Sequence, residues 1–169
     1  APSNNINAGT YVLEPSAVEQ IPQGRPVSVE RETFPELAAS GTLYALPSDT
    51  YWLDTGTPQQ FIQANLDMLN GKRKQVPQLP DAVIDPKSLI TQSVIGNGSE
   101  VEAGAIIDKS VVLDHCRIRA NSQVLGSVLS EDVHVGEGAR LDGCVIGKGQ
   151  YIKPGEMLIN ESRPEVDPA

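Results

Sequence analysis

A chain of 169 residues with 39% hydrophobic residues and 15 glycines can bury one large core or two small ones. Its formal net charge of −9 excludes a nucleic-acid or anionic-membrane surface, since both need a basic face. No apolar run approaches a membrane span, and Cys116 and Cys144 give neither a disulfide framework nor a metal-ligand spacing. The start, Ala1-Pro2-Ser3-Asn4-Asn5, is polar and lacks a signal-peptide pattern, so a reducing cytoplasm is expected.

Residues 6–70 read as mixed α/β. Gly9–Leu13 is a candidate strand, and Ser16-Ala17-Val18-Glu19 has capping-box spacing for one helical turn. Ser28–Ala39 reads as a helix kinked at Pro35, with Ser40-Gly41 as its stop. Thr42–Pro47 alternates like a strand. Thr57-Pro58-Gln59-Gln60 opens the clearest helix, because Thr57 is a good cap and Pro58 is tolerated at the first helical position. Phe61, Ile62, Leu66 and Leu69 give that helix a stripe to bury. Gly71-Lys72-Arg73-Lys74 ends it as a solvated, basic terminus, and Gln75–Asp81 is a connector.

The second half repeats. From Ile95, steps of 6, 6 and 5 reach Val101, Ile107, Val112, Ile118, Val124, Leu129, Val135, Leu141, Ile146, Ile152 and Leu158, all aliphatic. The same register reaches back through Ile90 to Ile84. Such a pattern predicts a parallel β-helix with a 17-residue coil, in which each coil supplies three short strands and needs its neighbours to bury its apolar edge. Four positions after the aliphatic residue come Ser99, Ala105, Val111, Cys116, Ser122, Val128, Val133, Ala139 and Val145, read as a second set of interior side chains. Gly96, Gly98, Gly136, Gly138, Gly147 and Gly149 are read as corners that need positive φ. From Asn160 the chain turns polar and Pro-rich, which predicts a fraying tail. Cys116 and Cys144 fall at or beside interior positions as packing thiols, and His115 and His134 read as surface or corner residues.

Three segments carry a family resemblance: Asn7-Ala8-Gly9-Thr10-Tyr11-Val12, Ser28-Val29-Glu30-Arg31-Glu32-Thr33-Phe34-Pro35, and Tyr51-Trp52-Leu53-Asp54-Thr55-Gly56-Thr57-Pro58. Their order and spacing resemble the sugar-binding half of sugar-1-phosphate nucleotidylyltransferases, and S-x-E-R-E-x-F-P with W-L-D-x-G-T-P is most similar to the mannose-1-phosphate guanylyltransferase (GDP-mannose pyrophosphorylase) group. The resemblance implies a fold class: the second part of a Rossmann-like α/β nucleotidyltransferase domain over 1–75, a linker over 76–83, a left-handed parallel β-helix over 84–162 and a polar tail over 163–169.

The same resemblance implies a reaction, the transfer of a nucleotidyl group from an NTP, expected to be GTP, to a sugar 1-phosphate, expected to be mannose 1-phosphate. Pyrophosphate is released and Mg²⁺ is the cofactor. Carried over by position, Asp54 is a catalytic metal ligand, Asn7 contacts the sugar, Gly9 allows close backbone approach, and Glu30 accepts hydrogen bonds from sugar hydroxyls. A homo-oligomer assembled through the β-helix is expected.

The early G-x-G-x-R phosphate loop of that family, its following lysine, a second metal-binding aspartate and the E-K-P segment are not found ahead of Asn7. A fragment of the enzyme, inactive alone, is therefore expected. Gly136-Glu137-Gly138-Ala139-Arg140 looks like the loop, but its register places it inside the β-helix with no helix N-terminus behind it. Two rival readings are a hexapeptide acyltransferase, in which His115 or His134 would be a general base, and a non-catalytic assembly or regulatory module.

Overall fold

The computed structural model describes residues 5–72 and 81–164. The chain divides between Trp52 and Leu53 into two compact units. Residues 73–80 and 165–169, which include the basic pair Arg73-Lys74, most of the expected connector and the end of the expected tail, lie outside the described residues.

Among its described residues, the second unit holds fifteen short strands in three parallel five-stranded ladders. The first ladder stacks β1 (Val83–Ile84), β4 (Glu100–Val101), β7 (Arg117–Ile118), β10 (His134–Val135) and β13 (Tyr151–Ile152). The second stacks β2 (Leu89–Thr91), β5 (Ile106–Asp108), β8 (Gln123–Leu125), β11 (Arg140–Asp142) and β14 (Met157–Ile159). The third stacks β3 (Val94–Ile95), β6 (Val111–Val112), β9 (Val128–Leu129), β12 (Val145–Ile146) and β15 (Ser162–Arg163).

Ile84 pairs with Val101, Val101 with Ile118, Ile118 with Val135 and Val135 with Ile152, so one periodic column of the sequence is one column of the ladder, buried from Val101 on. From Ile107 to Ile152 every aliphatic position of the repeat is 0% exposed. Each inner strand satisfies its backbone on the coils above and below, which is why two- and three-residue strands suffice.

Ser99, Ala105, Cys116, Ser122, Val133 and Ala139 are interior, as read from the repeat. The reading fails after the five-residue step. There, four positions on is one residue before the next interior side chain, and alternation turns it outward. Val111 and Val128 lie on the outer face, and the inward column one residue earlier is Ser110, Ser127 and Cys144. These buried groups form a ladder. Ser110 Oγ accepts the N–H of Ser127 at 3.1 Å, and Ser127 Oγ accepts that of Cys144 at 2.9 Å. Each hydroxyl also donates to the carbonyl two residues before it, Ser110 to Asp108 at 2.8 Å and Ser127 to Leu125 at 2.7 Å. A hydroxyl that both donates and accepts can sit in the core without an orphaned polar atom.

The corners recur at the same spacing. Gly98, His115, Asp132 and Gly149 occupy one column and all have positive φ, between 58° and 68°. His115 is thus a corner residue, in a conformation that His tolerates better than branched side chains do. Gly136 has a different reason for being glycine. Its φ is not positive, but a Cβ there would stand 2.5 Å from the Pro154 nitrogen, so the next coil requires the bare backbone. The same close approach, not positive φ, explains Gly96 and Gly147. Ser162–Arg163 does not fray: it pairs with β12 as the last strand, with Arg163 Nη1 2.8 Å from Glu156 Oε1.

One helix, α3 (Pro58–Leu69), packs on the outside of the third ladder. (Two shorter helices precede it, α1, Pro15–Val18, and α2, Phe34–Ala39.) Thr57 caps α3, its Oγ1 accepting the Gln60 N–H at 3.2 Å. Buried Ile62 meets Val111 and Val128, with Phe61, Leu66 and Leu113 around them. Full burial of one such side chain stabilises by roughly 1.5–3 kcal/mol. Leu69 does not share in this stripe and is 49% exposed. The helix also buries Asp67, which accepts from Gln63 Nε2 at 2.8 Å and pairs with Lys72 Nζ at 2.9 Å.

In the first unit, α1 begins at Pro15 behind Glu14, so the expected box on Ser16 and Glu19 does not form. The expected single helix over Ser28–Ala39 is instead a π-helical turn, Val29–Thr33, running into α2, with Pro35 in the first turn of α2 where its missing N–H costs little. Gly41, at φ 72°, closes α2 as expected, and Thr42 N–H returns to Leu37 O at 2.9 Å. Neither Gly9–Leu13 nor Thr42–Pro47 is a strand, and no strand occurs among the described residues before Val83. A strand needs a ladder partner, and these segments have none within the described residues. Their apolar side chains are left open, with Val12 99%, Tyr44 87% and Leu46 94% exposed.

Candidate functional site

The first unit brings three of the four expected site residues together. Asn7 turns the chain through its own side chain, its Oδ1 accepting the Gly9 N–H at 2.8 Å, and Gly9 completes the turn at φ 71°. Asn7 Nδ2 then crosses 23 residues of sequence to donate to Glu30 Oε1 at 3.1 Å. Glu30 sits on the π-helical turn, so the wide turn and the Asn7 turn face each other. Between them stands Tyr11, which sequence reading placed in a strand and gave no role. Its hydroxyl accepts from Asn7 Nδ2 at 2.7 Å and donates to Glu30 Oε1. That bond to Glu30 is the main reason the Tyr11 hydroxyl is held above its ordinary pKa. The ring packs edge-on against buried Phe34, with centroids 4.8 Å apart. All three polar residues remain open to solvent.

Asp54 belongs to the second unit. Its Oδ1 accepts the Gly56 N–H at 3.2 Å, an Asp-x-Gly turn just ahead of the Thr57 cap, and its carboxylate is exposed. No group of three or more His, Cys, Asp or Glu side chains suited to a metal ion occurs among the described residues.

The histidines of the β-helix differ from each other. His134 lies on the outer face of the first ladder, where its Nε2 accepts from Arg119 Nε at 3.0 Å and its ring meets Tyr151 edge-on. Burial first, and then the positive charges of Arg119 and Arg117, lower its pKa. Arg119 is in turn paired with Glu102, whose Oε2 accepts the Ala120 N–H at 2.9 Å. With its Nε2 lone pair engaged, His134 is a link in a surface network. Burial pushes the Cys116 thiol up to about 11, which keeps it protonated and suits a packing role. Gly136 and Ala139 lie in the wall of the β-helix, so the segment resembling a phosphate loop is structural. No helix among the described residues is long and apolar enough to cross a membrane.

Comparison with known proteins divides the chain later than the two compact units do, between residues 71 and 74. Residues 1–71 match the family described as Nucleotidyl transferase, and residues 74–163 match the one described as GMPPB C-terminal domain. A mannose-1-phosphate guanylyltransferase of Mycobacterium tuberculosis is 38% identical over 131 residues, covering 70% of this chain and 36% of the relative. The mannose-1-phosphate guanylyltransferase catalytic subunit beta of Danio rerio is 30% identical over 173 residues, covering 94% of this chain and 48% of the relative. A mannose-1-phosphate guanyltransferase of Debaryomyces hansenii is 32% identical over 177 residues, covering 95% and 48%. The chain thus spans from about a third to about half the length of these curated relatives. More than half of the chain falls within the second match, and the protein belongs to the GMPPB C-terminal domain family, carried here behind a segment of nucleotidyl transferase.

Proposed function

We propose that this chain is the carboxy-terminal portion of a mannose-1-phosphate guanylyltransferase, supplying the sugar side of the active site and the β-helix. The observation that carries the reading is the Asn7–Glu30 hydrogen bond. It joins two separate motif segments within the region matched by nucleotidyl transferase and leaves a carboxylate open to solvent. A carboxylate held by neutral donors and exposed on one side is suited to accept from sugar hydroxyls. The exposed Val12, Tyr44 and Leu46 further support the reading, since an α/β domain would cover such side chains with its remaining layers.

In the proposed reaction a phosphate oxygen of mannose 1-phosphate attacks the α-phosphorus of GTP in line, a new P–O bond forms, and pyrophosphate leaves. Catalysis rests on positioning and on neutralising phosphate charge. Mg²⁺ would supply that neutralisation. It is commonly held by one or two carboxylates plus substrate phosphates, and the single exposed carboxylate of Asp54 fits one such ligand. We place the protein in the cytoplasm. We also propose a homo-oligomer through the β-helix, whose second ladder exposes Leu89, Met157 and Ile159.

A panel of nucleotides and sugar 1-phosphates, assayed on the full-length polypeptide by pyrophosphate release, tests the substrate assignment. GTP with mannose 1-phosphate is expected to give the highest kcat/KM. A preference for another pair by tenfold or more would refute that assignment.

A further inference from the structure

Tyr11 is the hub of the cluster in the first unit, and the hydrogen bonds show what it leaves for a ligand. Asn7 spends its amide internally, with Oδ1 on the Gly9 N–H and Nδ2 on Tyr11 and Glu30. Glu30 takes both of its donors on Oε1, and among the described residues no hydrogen bond reaches Oε2. The tyrosine ring is fixed against Phe34 at the head of α2, directly after the turn that carries Glu30. The carboxylate is therefore held from two directions with one oxygen presented outward.

From this geometry, and resting on the sugar-site reading above, we infer that Tyr11 is a positioning residue for sugar recognition, locking Glu30 so that Oε2 alone accepts a single sugar hydroxyl. Asn7 acts through the same lock and need not touch the sugar. The site so built discriminates by a donor. It favours a neutral hydroxyl at that position and rejects a deoxy analogue, which would leave Oε2 without its donor. Tyr11→Phe keeps the ring against Phe34 and removes only the hydroxyl, freeing Glu30 to rotate.

The test uses the ¹⁵N-labelled full-length polypeptide titrated with mannose 1-phosphate and with its monodeoxy analogues, read at the Asn7 side-chain amide and the Gly9 N–H. Wild type is expected to shift saturably and to lose roughly tenfold in affinity for one deoxy analogue, the size of a hydrogen bond to a charged group. Tyr11→Phe should weaken the parent sugar phosphate about tenfold and erase most of that discrimination. Equal weakening of all ligands, or no change, would overturn the role of Tyr11 while leaving the site intact, provided that Glu30→Gln still lowers affinity. If Glu30→Gln changes nothing, or wild type shows no saturable shift, the sugar-site reading itself fails and this inference with it.

Discussion

Val135→Asp is expected to cost several kcal/mol, and Glu137→Lys less than about 0.5 kcal/mol, although the two positions are only two residues apart. Val135 is 0% exposed, stacked between Ile118 and Ile152 in the first ladder. A carboxylate there would enter an aliphatic column with no donor to meet it, so neutralisation or distortion are its only outlets. Glu137 is exposed, and its one structural duty is its carbonyl, which accepts the Gly155 N–H at 2.8 Å and survives any side-chain change. Because repeats couple mainly to their neighbours, damage should centre on residues 112–162. Denaturant unfolding of both variants, with hydrogen exchange on whichever form of Val135→Asp stays soluble, measures this. Equal tolerance of the two substitutions would contradict the register.

Asp54→Asn is expected to lower turnover of the full-length enzyme by two orders of magnitude or more. Asparagine keeps an oxygen to accept the Gly56 N–H, so the turn ahead of the Thr57 cap should persist and stability should change by less than about 0.5 kcal/mol. What disappears is a negative charge. If Asp54 is a ligand of Mg²⁺, the metal loses one of its protein anchors and the phosphates lose part of their neutralisation, a loss of at least about 2.7 kcal/mol in transition-state stabilisation. Single-turnover rates and thermal unfolding on the same preparations separate the two effects. A variant within about threefold of wild type would assign Asp54 to the turn alone.

The β-helix was legible because one structural slot recurs many times, so each aliphatic residue from Ile95 to Leu158 repeats the same statement. Its misplaced interior residues have one cause. The five-residue step shifts parity, which sent Val111 and Val128 outward and put Ser110, Ser127 and Cys144 in their place. The outward valines are where Ile62 of α3 docks, a contact that periodicity within either element alone could not disclose. In the first unit, Thr42–Pro47 alternates like a strand, but pairing is a property of a partner and not of the segment. Of the candidate site, Asn7, Gly9 and Glu30 were named through motif resemblance, and the structure brings these three together. Tyr11 was missed because a candidate strand over Gly9–Leu13 does not disclose which distant side chains it meets. Its hydrogen bonds to Asn7 and to Glu30, 19 residues away, show it to be a polar link between the two segments.

The proposal that this chain is the carboxy-terminal portion of a guanylyltransferase is tested most directly by pyrophosphate release. GTP, mannose 1-phosphate and Mg²⁺ are presented to the 169-residue chain and, in parallel, to the full-length polypeptide. The account predicts turnover by the full-length protein and none by the chain, because one sugar half-site cannot neutralise a triphosphate. Turnover by the chain alone, or a full-length protein that releases no pyrophosphate, would contradict it.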